Sequence, residues 1–103
     1  MDLAEAVYKL VEKLPAREKY GLSTQMTRAA ASVPANIAEG YARSPRRDYA
    51  NFLAIAKGSL METETYLLLA VRVKFVADEA VSVLLELITE ISKMLTALRK
   101  RLL

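Results

Sequence analysis

Five polar residues recur along one predicted helix at spacings that bring their side chains to a single face. The spacings are 3, 4, 4 and 3 residues, and a helix stacks side chains that are three or four positions apart. We call this set the polar stripe, and its members are Gln25, Arg28, Ser32, Asn36 and Glu39. A later predicted helix carries Ser59, Glu62 and Tyr66 on one face, which could meet the stripe.

The two glutamates of these rows allow two kinds of chemistry. Glu39 and Glu62 could act as a general acid and base, or two carboxylates on neighbouring helices could hold a metal. However, no nucleophile is paired with a base, and the Glu-x-x-His element of carboxylate metal sites is absent. A satisfied polar network that fixes helix register is the favoured interpretation, with Arg28 as counter-ion of Glu62 or Glu39 and Asn36 bridging. The expected network comprises Gln25, Arg28, Ser32, Asn36, Glu39, Ser59 and Glu62.

The overall composition restricts the chemistry further. The chain has no cysteine and no histidine, which removes disulfides, thiolate metal sites and the commonest general base near neutral pH. The net charge is +3, from 15 Lys and Arg against 12 Asp and Glu, which permits nucleic-acid binding only if the cations cluster. The sequence therefore predicts a non-catalytic protein with no cofactor and no metal.

The sequence shows neither a leader nor a membrane segment. It begins without the basic and apolar stretch that is typical of a signal peptide. Its longest nearly apolar run, residues 66–71, is far shorter than the ~20 residues that span a bilayer. We expect a cytoplasmic protein with no membrane partner.

Proline, glycine and capping residues divide the chain into four predicted helices. Helix 1 covers residues 2–14 and ends before Pro15, because a proline disfavours the helical conformation of the residue before it. Helix 2 covers residues 23–41, helix 3 covers residues 45–74, and helix 4 runs from residue 78 to the C-terminus. The expected N-terminal caps are Asp2, Ser23, Ser44 and Asp78.

Pro34 falls inside the apolar pattern of predicted helix 2. A proline in a helix interior removes one hydrogen bond and clashes with the preceding turn, at a cost of about 3 kcal/mol or more. The apolar spacing continues across Pro34 without a phase shift, which favours a kink between Ala30 and Pro34. The alternative is a true break, which would give five shorter helices.

Short connections between these helices predict an all-α, antiparallel, up-down-up-down four-helix bundle, formed by residues 1–103 as a single domain. Predicted helices 3 and 4 carry second apolar faces that exceed what one core needs. These faces comprise Ile55, Tyr66, Leu69 and Val73 on helix 3, and Val83, Leu87 and Met94 on helix 4. We expect them to pack against copies of the same chain. The alternative is that they remain half-covered on a monomer.

An up-down topology would gather six cations at one end of the bundle. This set, which we call the basic end, comprises Arg43, Arg46, Arg47, Arg99, Lys100 and Arg101. The cluster is partly offset by Asp2, Glu5 and Asp48, and it could bind phosphates. The alternative is that the cations near the C-terminus of helix 4 only complement its dipole and keep that end hydrated. The clustering of cations from two parts of the chain favours an anion-binding surface.

Two stretches of the chain resemble a known family. They are residues 20–40, which read YGLSTQMTRAAASVPANIAEG, and residues 52–70, which read FLAIAKGSLMETETYLLLA. Both are similar to the small four-helix-bundle proteins encoded in intervening sequences of bacterial large-subunit ribosomal RNA genes. The matching signature positions are Gln25, Arg28, Pro34, Asn36, Glu39, Gly40, Ser59 and Glu62. The start of the chain lacks the tryptophan found in many members.

The resemblance implies an antiparallel bundle, relatives that assemble as ring-shaped pentamers, and no enzymatic activity. A related group, the accessory proteins of diversity-generating retroelements, binds nucleic acid and a reverse transcriptase. On this basis a ring-forming homo-oligomer is expected, with a pentamer favoured. The signature positions lie along a helix face with small neighbours, so we interpret them as architectural.

Two functional hypotheses follow. The first is an oligomeric bundle that binds RNA or DNA phosphates through the basic end. Direct base readout is not expected, because the cluster lacks interleaved aromatic and polar base-reading side chains. The second is a protein-interaction scaffold whose ring or groove docks a protein partner and which has no nucleic-acid role.

Overall fold

Apolar residues at helical spacing build four α-helices in this chain. The computed structural model describes residues 1–43 and 45–103, and in these residues there is no β-strand. The four helices are α1 (Asp2–Val11), α2 (Leu22–Tyr41), α3 (Arg46–Arg72) and α4 (Asp78–Leu102). A short 3₁₀ helix (Ala16–Glu18) lies between α1 and α2, where the sequence predicts only a connection. The predicted fold class, all-α with four helices, is confirmed.

The helices share one apolar core. Helix α2 contacts α1 and α3, while α4 contacts α3 and α1. Helix α3 faces the core along its whole length, with buried residues at alternating spacings of three and four: Leu53, Ala56, Leu60, Thr63, Leu67 and Ala70. Helix α4 follows the same rule with the buried residues Val81, Leu84, Ile88 and Leu95, when the half-buried Ile91 is included between the last two. This alternation is typical of the seam between nearly parallel packed helices.

The starts of α1 and α4 and the end of α2 agree with the sequence prediction, and the other helix ends differ from it by one to three residues. Asp2 and Asp78 lie inside their helices, after the cap residues Met1 and Ala77. Their carboxylates therefore stabilise the first turn by interacting with the positive end of the helix dipole. Ser23 is also inside its helix. The amide of Leu22 instead donates to the Glu18 carboxylate at 3.2 Å.

The boundaries of α1 and α3 shift in the same way. Helix α1 ends at Val11 rather than at residue 14, and three i→i+3 bonds finish the turn before Pro15. Helix α3 begins at Arg46 with Pro45 as its cap residue, so Pro45 is not its first helical residue. The expected cap Ser44 lies outside the described residues.

Helix α2 continues through Pro34, so the alternative of five shorter helices is wrong. Burial explains why the helix persists despite the missing N–H. Ala30 and Val33 lie in the core immediately before the proline, and Gly40 is buried after it. Packing along both halves therefore outweighs the local cost of about 3 kcal/mol that a proline imposes on a free helix.

Helix α3 ends in a Schellman motif. The amide of Phe75 donates to the Ala70 carbonyl at 2.9 Å, and the amide of Lys74 donates to the Val71 carbonyl at 2.9 Å. Lys74 adopts a left-handed conformation with φ of 66°, a position that glycine usually fills. The motif turns the chain sharply toward α4.

In the described part of the chain, no helix is both long and apolar enough to cross a membrane.

Candidate functional site

The crossing of α2 and α3 positions the residues of the site, and Gly40 makes that crossing close. A Cβ atom at position 40 would lie 2.6 Å from Cβ of Phe52 and 3.0 Å from Cδ1 of Tyr49. Only glycine therefore fits there without moving one helix away from the other. Beyond this contact, Tyr41 packs edge-on against Tyr49, with ring centroids 6.0 Å apart.

Part of the predicted polar network forms at the middle of the same crossing. The hydroxyl oxygens of Ser32 and Ser59 are 2.8 Å apart, which joins α2 to α3. Asn36 donates to the Ser32 hydroxyl and to its carbonyl, both at 2.8 Å. Thr63, which is fully buried, donates to the Ser59 carbonyl at 2.9 Å. These bonds satisfy polar groups of both helices at one fixed register.

The charged members of the network are placed differently from the expectation. Gln25, Arg28 and Glu62 line an open pocket of about 230 Å³ beside the serine pair. Within the described residues, the one salt bridge joins Arg43 to Glu39 at 2.8 Å, so the expected ion pair of Arg28 with Glu62 or Glu39 does not form. Glu39 lies one turn before Arg43, a spacing that favours pairing on the same helix.

Among the residues that the structure describes, no group of three or more acidic side chains could hold a metal ion. Glu39 and Glu62 are also not brought into one pocket, since Glu39 is paired at the end of α2 while Glu62 lines the pocket near Arg28. The arrangement does not supply the paired carboxylates that general acid–base chemistry needs.

The basic end is assembled by contacts between the start of α3 and the end of α4. The guanidinium of Arg46 donates to the main-chain carbonyl of Arg101 at 2.7 Å. Nε of Arg99 donates in the other direction, to the carbonyl of Ala50 at 3.2 Å. The first bond satisfies a carbonyl that the last turn of α4 would otherwise leave without a helical partner. Cations that are 55 positions apart in the chain thus come to one end of the molecule.

Arg43 joins the basic end from the α2 side, but its charge is already partnered. Besides the Glu39 pair, its guanidinium lies 5.2 Å from the centroid of the Phe52 ring. Arg47, Lys100 and Arg101 are exposed, and their side chains make no hydrogen bond or salt bridge within the described residues. These three cations therefore have no partner within the described residues, while Arg46 and Arg99 keep their charge because they bond only to neutral carbonyls.

The comparison with family models decides the identity. The model of the 23S rRNA-intervening sequence protein family matches residues 1–97. The chain belongs to this family. The family resemblance inferred from residues 20–40 and 52–70 is confirmed.

A solved structure supports the assignment. The chain is 30% identical to a protein of unknown function from the S23 ribosomal protein family of Bacteroides thetaiotaomicron, with a TM-score of 0.88. The match covers 96% of this chain and 93% of that one. No curated protein matches the chain.

In this member of the 23S rRNA-intervening sequence protein family, a groove lies beside the basic end. It has a volume of about 560 Å³ and runs between α3 and α4. Leu53, Met61 and Leu95 line it together with the cations Arg99 and Lys100. Sequence reasoning missed this groove, although one signal was present. Gly58 interrupts an otherwise glycine-free helix and also lines the groove.

The predicted second apolar faces are largely exposed on the single chain. On α3, Ile55 is 52% exposed, and Leu69 and Val73 are also exposed. On α4, Met94 is 68% exposed and Val83 is exposed too. Tyr66 and Leu87, which the sequence assigns to the same faces, are half-buried instead, and Tyr66 packs against the core.

Proposed function

We propose that this protein is a non-catalytic helical bundle that binds phosphates of RNA or DNA through the basic end. One observation carries the proposal: the hydrogen bond from Arg46 to the Arg101 carbonyl holds the start of α3 against the end of α4. This contact brings Arg47 of α3 to the same end as Lys100 and Arg101 of α4, and all three side chains are exposed. Exposed cations without internal partners are the groups that exchange counterions for phosphate oxygens.

Family membership adds context to this proposal. The matching family is described by its link to 23S rRNA, and the structural neighbour is described as belonging to a ribosomal protein family. We infer that structured RNA is the first ligand to test, and we propose a cytoplasmic location for the protein. The groups at the basic end hold a phosphate backbone without reading bases, since they include no row of stacking aromatic side chains.

The direct test is binding of the purified protein to a structured RNA hairpin across a range of salt concentrations. The variant replaces Arg47, Lys100 and Arg101 by glutamine, because these changes remove charge and leave the Arg46 and Arg99 hydrogen bonds intact. If each cation contacts a phosphate, the slope of log affinity against log salt falls by about 2 to 3.

A matched control removes the same charge elsewhere. Lys13, Lys19 and Arg72 are exposed and lie outside the basic end, with Arg72 at the opposite end of α3 from Arg46. Replacing these three by glutamine should leave the slope within about one unit of the unchanged protein. Equal losses in both variants would show that only net charge matters, and would overturn the proposed site.

The same proposal includes an up-down-up-down arrangement with alternating helix directions. Two hydrogen bonds support it for α3 and α4: Arg46 bonds to residue 101, and Lys57 bonds to Thr96. These two pairs indicate that α3 and α4 run in opposite directions. Cysteines introduced at Ala54 and Lys100 should crosslink readily, whereas a pair at Ala54 and Glu79 should not.

We further propose that α2 bends at Pro34, because its ring displaces the preceding turn. A crystal structure of the protein beside that of a Pro34→Ala variant checks this bend. Equal axis curvature in the two would contradict it.

We also propose that the protein works as a ring-forming oligomer, with a pentamer as the expected size. The exposed apolar side chains on α3 and α4 support self-association, since their spacing places them on one side of each helix. Light scattering after gel filtration measures the mass directly. Leu69→Glu and Met94→Glu should reduce the mass, whereas Thr89→Glu, at an exposed polar position on a different side of α4 from Val83 and Met94, should not.

A protein-interaction scaffold without a nucleic-acid role is the second candidate. The aliphatic groove between α3 and α4 is the observation that favours it. Isolation of a stoichiometric protein partner that survives nuclease treatment, with no RNA binding at low salt, would favour this candidate over the first.

A further inference from the structure

The groove between α3 and α4, which we call the α3/α4 groove, combines an aliphatic floor with a cationic rim. Its floor includes Leu53, Met61, Leu95 and Leu103. Met61 is 37% exposed and Leu103 is 76% exposed, so the apolar surface is open to a partner. The rim is formed by Lys57, Arg99 and Lys100.

Two of the three rim cations, Lys57 and Arg99, are held in place by bonds within the chain. Nζ of Lys57 donates to the Thr96 hydroxyl at 2.8 Å, which spans the two helices across the groove. Nε of Arg99 is bound to the Ala50 carbonyl, which leaves its remaining N–H groups for another acceptor. The groove therefore presents fixed positive charge beside apolar surface.

The floor is better suited to aliphatic side chains than to nucleobases. None of the described residues that line it is aromatic, and stacking on aromatic rings is the usual source of affinity for unpaired bases. Burial of aliphatic side chains against leucine and methionine needs no such ring, and methionine adapts to varied partners.

Gly58 supplies a second, independent feature of the groove. It lies in the interior of α3, where glycine is about 1 kcal/mol less favourable than alanine. Unlike Gly40, it has no atom within 4 Å of the position where a Cβ would lie. No contact inside the chain requires a glycine here, but its bare backbone allows a partner helix to approach closely.

We propose that the α3/α4 groove binds an acidic amphipathic helix of a protein partner. Charge complementarity argues for this occupant: aliphatic residues on one side of such a helix fill the floor, while flanking carboxylates meet Lys57, Arg99 and Lys100. The stretch of α3 from Leu53 to Met61 is about 12 Å long, which accommodates about two turns of a partner helix. This interaction goes beyond phosphate binding, because it uses the apolar floor.

A peptide-binding experiment tests the proposal. The probe is a fluorescent amphipathic peptide of about 15 residues, long enough for helix formation, with leucines on one face and glutamates on the other. Gly58→Leu places a side chain in the open space of the groove and should weaken binding about tenfold or more. Gly58→Ala is the matched control and should keep most of the affinity. Lys57→Gln should weaken binding and reduce its dependence on salt.

Several outcomes would overturn the proposal. Equal affinity of the peptide for the Gly58→Leu variant and for the unchanged protein would show that the floor is not used. Equal binding of a peptide with serine in place of leucine would show attraction by charge alone. A lower assembly mass in the Gly58→Leu variant would assign the groove to a second copy of the chain.

RNA binding separates this proposal from the proposed function. The Gly58→Leu variant should keep its affinity for the RNA hairpin, because Arg47, Lys100 and Arg101 are unchanged. Loss of RNA binding in this variant, with peptide binding retained, would assign the groove to nucleic acid. Peptide binding that depends on Gly58 while RNA binding is absent would support the groove and contradict the phosphate site.

Discussion

Replacing Gly40 by alanine should destabilise the protein, whereas the same replacement at Gly58 should stabilise it. Both glycines lie within long helices, and neither has a positive φ, so conformational freedom does not distinguish them. The space around each one does. A Cβ at position 40 would lie 2.6 Å from Cβ of Phe52, whereas a Cβ at position 58 would meet nothing within 4 Å.

The magnitudes follow from these distances. At position 58 only the helix propensity changes, and alanine gains about 1 kcal/mol over glycine. At position 40 the gain in helix propensity is at most the same. However, carbon atoms in contact prefer a separation of about 3.5 to 4.0 Å. The two helices must therefore separate by about 1 Å, and overpacking of this kind costs about 1 to 3 kcal/mol. Cβ of Phe52 is attached directly to the backbone and cannot rotate away, which favours the upper end of that range.

Thermal and denaturant unfolding followed by circular dichroism, at one fixed protein concentration, measures both changes. For a chain of this size, 1 kcal/mol corresponds to about 5 °C in Tm. Gly58→Ala should raise Tm by about this amount, and Gly40→Ala should lower it by about 5 to 10 °C. A Gly40→Ala protein as stable as the unchanged one, or shifts of the same sign in both variants, would refute the argument from close helix approach.

Further substitutions test other parts of the fold by the same unfolding measurement. Lys74→Gly should stabilise by about 1 kcal/mol, because the left-handed conformation at this position is unfavourable for a residue with a Cβ; Lys74→Ala, which keeps the Cβ, should not. Ser32→Ala should destabilise by about 1 to 2 kcal/mol, since it leaves the Ser59 hydroxyl and one Asn36 bond without their partner. Leu60→Ala should destabilise by about 2 to 5 kcal/mol, because Leu60 is fully buried. A change below 1 kcal/mol would place Leu60 outside the core.

The helices themselves could be predicted from the sequence because their apolar spacing is regular. In α4, Val81, Leu84, Ile88 and Leu95 follow the expected stripe, and all four are buried. Several of the ends could not be predicted to the residue. The start of α2 uses the Glu18 carboxylate for the Leu22 amide, which depends on the 3₁₀ helix before it. Lys74 gives no sign of a left-handed position, since glycine or asparagine is the usual signal.

The site shows a similar division. Charge clustering at the basic end could be anticipated from the order of the helices, because that prediction depends only on which helix ends are neighbours. Individual partners could not, since they depend on register to within an ångström. Arg46 bonds to a main-chain carbonyl 55 residues away, and no pattern of residue types indicates such a bond. In contrast, the Arg43–Glu39 pair has an i,i+4 signal that could have replaced the expected pairing of Arg28.

The partial network between α2 and α3 bears on how the family fold is specified. Ser32, Ser59 and Asn36 are joined by short hydrogen bonds at the same crossing that Gly40 brings close. A polar contact of this kind contributes less to total stability than to the choice of one register, because a slipped register would leave its groups unpaired. Residues of the polar stripe that lie in this contact are therefore explained by architecture.

The measurement that tests the central claim most directly is RNA binding as a function of salt. It compares the unchanged protein, the variant with glutamine at Arg47, Lys100 and Arg101, and the control variant with glutamine at Lys13, Lys19 and Arg72. We predict affinity that falls steeply with salt, a slope reduced by about 2 to 3 in the first variant, and a slope almost unchanged in the control. Absence of binding at low salt, or an equal loss in both variants, would contradict phosphate binding at the basic end.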